Sequence, residues 1–94
     1  MADRVLLSDS DLESNLEKLP EWSVDGKILK RRFEFADFAE SLAFINNVGA
    51  IAEAVDHHPD IYFGWGYAEI NLTTHDRGGI TDLDFEVATK INKI

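Results

Sequence analysis

The chain has 94 residues, a hydrophobic fraction of 45%, no cysteine, and nine Lys and Arg against 18 Asp and Glu, for a net charge of −9. That length and composition suit one packed domain over residues 1–94 and exclude a second core or a disordered chain. The charge disfavours phosphate backbones and anionic membranes, and the missing cysteines exclude disulfides, a thiolate nucleophile and a cysteine-based zinc site.

Ser8 to Leu19 reads as a short helix, capped by Ser8, with Asp9 and Asp11 at its positive end and Pro20 closing it. Leu12, Leu16 and Leu19 form its apolar stripe. Glu21 to Phe35 reads as a β-hairpin turning at Asp25-Gly26, with Leu29, Phe33 and Phe35 on one face. Arg31 falls on that same face and is out of character there. Asp37 to about Asp56 is the main helix, and it carries two apolar stripes. Phe38, Leu42, Ile45 and Ala52 form one; Phe44, Val48, Ile51 and Val55 form the other. One stripe is enough to cover a sheet, so the second implies either deeper burial in the same fold or cover from a second subunit. Ile61 to Trp65 and Ala68 to Thr74 read as a second hairpin, with Ile70 and Leu72 facing inward. Thr81 to Ile94 is the last helix, opened by a capping-box-like Thr81-x-x-Asp84 and packed through Val87, Ala88, Ile91 and Ile94. The expected fold is α+β: a four-stranded antiparallel sheet with three helices on one face, in the order α-β-β-α-β-β-α. No apolar run approaches the ~20 residues of a membrane span. No signal peptide is read at the start of the chain, and a cytoplasmic location is expected.

The chemistry concentrates in the histidines. His57 and His58 stand in Asp56-His57-His58-Pro59. Pro59 biases His58 toward extended backbone, so the main helix should end near Asp56 or His57. The negative end of the helix dipole there favours a protonated imidazole. Glu53 lies one turn before His57, within reach if the helix persists. A dipole cap without chemical function accounts for an isolated His-His pair equally well. His75, in Thr73-Thr74-His75-Asp76, sits at the end of a strand, where scaffolds often hold working groups. An exposed loop residue is the plainer account of it. For Asp84, capping is an equally good account. Three histidines raise a metal site, but the four-residue spacing of a helical ligand pair is missing, so no metal is expected.

The constellation as a whole resembles the pterin-4a-carbinolamine dehydratase family: Glu53-x-x-x-His57-His58-Pro59, then Thr73-Thr74-His75, then Gly79-Ile80-Thr81 and Asp84. Trp22 and the segment Phe33-x-Phe35-x-Asp37-Phe38 resemble it too, so the likeness spans about Ser8 to Ile91. The resemblance departs at Tyr62 and Phe63, which follow a position near Ile61 that is often aromatic in the family, and at Arg77 and Leu83. It implies dehydration of 4a-hydroxytetrahydropterin to quinonoid dihydropterin, without metal or redox cofactor, the pterin being the substrate. It implies His57 and His75 as the acid/base pair and His58 as a third participant that binds or orients the pterin. Asp56, Thr73, Thr74 and Asp76 would line the site, and Glu53 and Asp84 would orient imidazoles from behind. The expected partners are a second copy or more of the chain, as homodimer or homotetramer, and an aromatic amino-acid hydroxylase as the source of substrate. A protein-interaction module, like the dimerisation cofactor of a transcription factor found among animal members, is the alternative.

Overall fold

The computed structural model describes residues 5–94. Its elements run α1 (Asp9–Glu17), β1 (Ser23–Asp25), β2 (Ile28–Glu34), α2 (Phe38–Val55), β3 (Asp60–Gly64), β4 (Tyr67–Leu72), a 3-10 turn (His75–Arg77) and α3 (Asp82–Ile91). The four strands form one antiparallel sheet in the order β1-β2-β4-β3. This is the expected α+β architecture. α2 carries the chain across the sheet, so that β3 returns on the far edge and β4 folds back beside β2.

Period-2 alternation decides the faces. Leu29 on β2 and Ala68, Ile70 and Leu72 on β4 are buried toward the helices, joined by Phe44 and Val48 of α2 and Val87, Ala88 and Ile91 of α3. α1 buries no residue fully and attaches through half-buried Leu12 and Leu16. Arg31 shares the inner face without disrupting it. Its guanidinium lies 4.1 Å from the Phe33 ring centroid, and its Nη1 donates to Asn92 Oδ1 at 2.8 Å. Trp22 Nε1 donates to the same oxygen at 2.8 Å, so one amide pins the end of α3 to the first hairpin.

Four details correct the sequence reading. The first turn is Gly26-Lys27, one residue later than expected, because Asp25 still pairs with Ile28. Gly26 supplies the positive φ (62°) and Lys27 does not share it, so the turn is not the type I′ that Asp25-Gly26 suggested. α1 ends at Glu17 with Lys18 as its cap, and Leu19 is buried from the following turn. On α2 the buried line is Ser41, Phe44, Val48 and Ala52, while Phe38 and Leu42 remain exposed. On α3, Ile94 lies beyond the helix and is exposed; Leu83, Asp84 and Phe85 are buried in its first turn.

Candidate active site

The site forms where α2 stops. Were the helix to continue, His57 would lie above Glu53. Instead Asp56 adopts left-handed backbone (φ 58°, ψ 44°), the single non-glycine residue with positive φ among those described. Aspartate tolerates that conformation better than most side chains. The N–H groups of Asp56 and His57 both donate back to the Ala52 carbonyl, which closes the helix. Pro59 then keeps the chain extended. The two adjacent imidazoles leave in opposite directions: His57 is 8% exposed and His58 is 54% exposed.

His57 points into the protein, where its Nε2 lies 2.5 Å from Asp84 Oδ1. Asp84 has no solvent contact. Its second oxygen, Oδ2, accepts the Thr81 backbone N–H at 2.9 Å and the Thr74 hydroxyl at 2.9 Å. The capping box at the start of α3 therefore has two tasks. One carboxylate oxygen caps the helix and the other holds an imidazole. His58 Nε2 pairs with Glu53 Oε2 at the surface. Helical spacing had matched Glu53 with His57; the left-handed turn at Asp56 passes it to His58 instead.

His75 begins the 3-10 turn that follows β4, and Gly78, at φ 72°, closes that turn with its N–H on the His75 carbonyl at 3.1 Å. Thr73 is tied across to the first hairpin, its hydroxyl donating to the Lys27 carbonyl at 2.7 Å. Asp56, His57, His58, Thr73, His75 and Asp76 line one cleft of about 310 Å³. Thr74 does not line it. Its side chain lies beneath, 1% exposed and engaged with Asp84, which leaves only the Thr74 backbone for contact with a ligand. Glu53 and Asp84 reach the cleft only through the imidazoles they hold. From the sequence, Thr81 is a cap and lies within the family motif but has no assigned part in the site, yet its N–H helps to hold the carboxylate behind His57.

Three imidazoles from two separate segments thus meet at one cleft. One is seated on a buried carboxylate that can support its positive charge; the others are open to solvent. Imidazole nitrogens can both donate and accept a proton, so this set can serve acid–base chemistry.

Residues 5–94 match the family described as pterin 4 alpha carbinolamine dehydratase. The chain belongs to this family. A relative from Picosynechococcus sp., named "Putative pterin-4-alpha-carbinolamine dehydratase", is 45% identical over 89 residues, 94% of this chain and 96% of that protein. A solved structure described as a transcriptional coactivator/pterin dehydratase from Brucella melitensis superimposes with a TM-score of 0.88 at 33% identity, covering 97% of both chains. A second, a pterin dehydratase-like protein described as a RuBisCO assembly factor in the alpha-carboxysome, gives a TM-score of 0.66 at 29% identity, covering 78% of this chain and 87% of that one.

The histidine cleft of this dehydratase-family chain is not its largest depression. A groove of about 580 Å³ runs between α2 and α3, lined by Ile51, Ala54, Val55, Glu86, Lys90 and Lys93. It contains no histidine, so the smaller cleft is the candidate for proton chemistry. Among the described residues no group of three or more His, Asp or Glu side chains is arranged to hold a metal ion, and no helix is long and apolar enough to cross a membrane.

Proposed function

We propose that this family member is a hydro-lyase that removes water from a 4a-hydroxytetrahydropterin, giving quinonoid dihydropterin. The observation that carries the reading is the meeting of His57, His58 and His75 at one cleft, with His57 seated on buried Asp84. In the reaction the C4a–O bond breaks, the N5 proton leaves and a C4a=N5 double bond forms. The departing hydroxyl takes up a proton and leaves as water. The step balances without a metal or redox cofactor and needs one proton donor and one acceptor. His57 and His75 fill those roles, and His58, held by Glu53, orients the pterin. Asp56, Thr73 and Asp76 contact it at the cleft wall. An aromatic amino-acid hydroxylase is the class of enzyme that would supply such a substrate.

The test is stopped-flow dehydration of a 4a-hydroxytetrahydropterin generated in situ, with wild type beside His57→Ala and His75→Ala. General acid–base groups are typically worth about 10²–10⁴-fold, so each variant should lose a factor in that range while its circular dichroism stays unchanged. A wild-type chain that gives no acceleration over the spontaneous reaction would overturn the reading.

A second reading is a protein-interaction module. The coactivator and assembly-factor descriptions of the two solved structures support it, and so do exposed Phe38, Leu42, Tyr62 and Trp65. Such a chain would keep its partner binding when the histidines are replaced.

A further inference from the structure

Beneath the cleft lies a closed chain of hydrogen bonds: Thr81 Oγ1 to Thr74 Oγ1 at 2.8 Å, Thr74 Oγ1 to Asp84 Oδ2 at 2.9 Å, and Asp84 Oδ1 to His57 Nε2 at 2.5 Å. Asp84, Thr74 and Thr81 are each at most 1% exposed, so water is not available to complete any bond. That closure fixes where each proton lies. Asp84 Oδ2 already accepts the Thr81 N–H, and Asp84 stands in the first turn of α3, at the positive end of the helix. Two donors on one oxygen, at a helix N-terminus, are the surroundings of a carboxylate rather than of a carboxylic acid. Thr74 has one hydroxyl proton, and Asp84 Oδ2 receives it. Thr74 Oγ1 must therefore accept from Thr81. Thr81 gives its own proton to Thr74, and its oxygen accepts the Leu83 N–H at 3.3 Å. Every hydroxyl proton then has a place, and Asp84 has none to give. The hydrogen between Asp84 Oδ1 and His57 belongs to Nε2.

We propose that Thr74 and Thr81 are positioning residues that hold His57 as the Nε2–H tautomer, leaving Nδ1 as the nitrogen that exchanges a proton at the cleft. A proton taken at Nδ1 makes the ring an imidazolium paired with Asp84, and its release from Nδ1 restores the neutral ring. The Nε2–H bond stays on Asp84 throughout. A hydroxyl network two residues removed from the substrate thus sets which face of the imidazole works. Only the identity of the substrate rests on the dehydratase reading; the tautomer belongs to the resting protein.

Long-range proton–nitrogen correlation spectra of the ¹⁵N-labelled chain test this directly, at a pH where the His57 ring is neutral. The expected signature is a protonated Nε2 and an unprotonated Nδ1. A neutral ring protonated at Nδ1 would overturn the proposal. Thr74→Val removes the donor to Asp84 and leaves the shape nearly intact. It should lower kcat by about 10- to 100-fold, the range seen when a partner that orients a working imidazole is lost. KM should change little and the His57 signals should become a mixture of tautomers. Thr74→Ser and Thr81→Ser, which keep the hydroxyl, should restore both rate and spectrum. Should Thr81→Val unfold α3, Thr74→Val alone decides the matter, since Thr74 stands at the start of the 3-10 turn but its side chain makes no capping hydrogen bond there. A Thr74→Val chain with unaltered tautomer and kcat would refute the assignment. An Nε2–H tautomer in a wild-type chain that does not dehydrate the pterin would refute the proposed function and leave this inference standing.

Discussion

Asp84 is the residue on which the largest effects should converge. It is wholly buried and faces three donors: Thr81 N–H, Thr74 Oγ1 and His57 Nε2. Asp84→Ala would remove the shared acceptor of all three, leaving Thr74 only its bond to Thr81 Oγ1 and the other two groups without their buried partner. Removing one member of a buried, charge-bearing set typically costs about 3–5 kcal/mol, a large part of the stability of a domain this size. Urea unfolding should show a midpoint shifted far down, and a wild-type midpoint would contradict the geometry. Asp84→Asn is the gentler probe. Its amide nitrogen can turn toward Nε2 and select the opposite tautomer of His57. It should stay folded and lose about 10²–10⁴-fold in turnover, as expected when an acid–base group is disabled. The sequence supports both accounts of Asp84, cap and imidazole partner, and leaves the choice open. The structure removes the need to choose, because the side chain has two oxygens and each has its own task.

At the scale of elements, the end of α2 is the device that separates His57 from His58. It depends on Asp56 holding φ at 58°. A β-branched residue there meets the full steric penalty of left-handed backbone, about 1–2 kcal/mol. Asp56→Val should therefore lower the melting temperature and also slow turnover, since relaxing the cap swings both imidazoles; an unchanged melting temperature would show that the cap is soft. Pro59 made the end of this helix legible, because proline restricts its predecessor by sterics alone. The strands were legible from alternation, and so was the meeting of the two histidine segments, through the family motif. Three features were not. The hand of the cap decides which histidine Glu53 meets, and side-chain spacing carries no information about hand. The first turn shifted by one residue because either Asp25-Gly26 or Gly26-Lys27 puts a glycine where positive φ is needed. The burial of Thr74 is a third-dimension fact: alternation along β4 continues through Thr74, but only the position of α3 turns that inner site into a partner for Asp84.

On the whole molecule, the two stripes of α2 come apart. Ser41, Phe44, Val48 and Ala52 are covered by the sheet and by α3, whereas Phe38 and Leu42 stand 46% and 41% exposed. Phe38 also packs against the half-buried Phe63 of the edge strand β3, with centroids 5.7 Å apart, so apolar side chains of helix and sheet edge meet there. Single exposed hydrophobics need no explanation, but a continuous patch on a small domain marks a contact surface. We propose that copies of this chain associate through it. Association has to overcome repulsion between chains that each carry a net charge of −9. Apolar burial is insensitive to screening, while that repulsion weakens once the Debye length falls to about 10 Å or less. The oligomer should therefore tighten as salt is raised, the reverse of a contact built on ion pairs. Light scattering at micromolar protein should give a multiple of 10.6 kDa that persists in high salt. Leu42→Glu, which places a further negative charge in the patch, should release monomers with unchanged circular dichroism. A wild-type chain that scatters as a 10.6 kDa particle in both low and high salt would refute the association. A Leu42→Glu chain that stays associated would move the contact to another face.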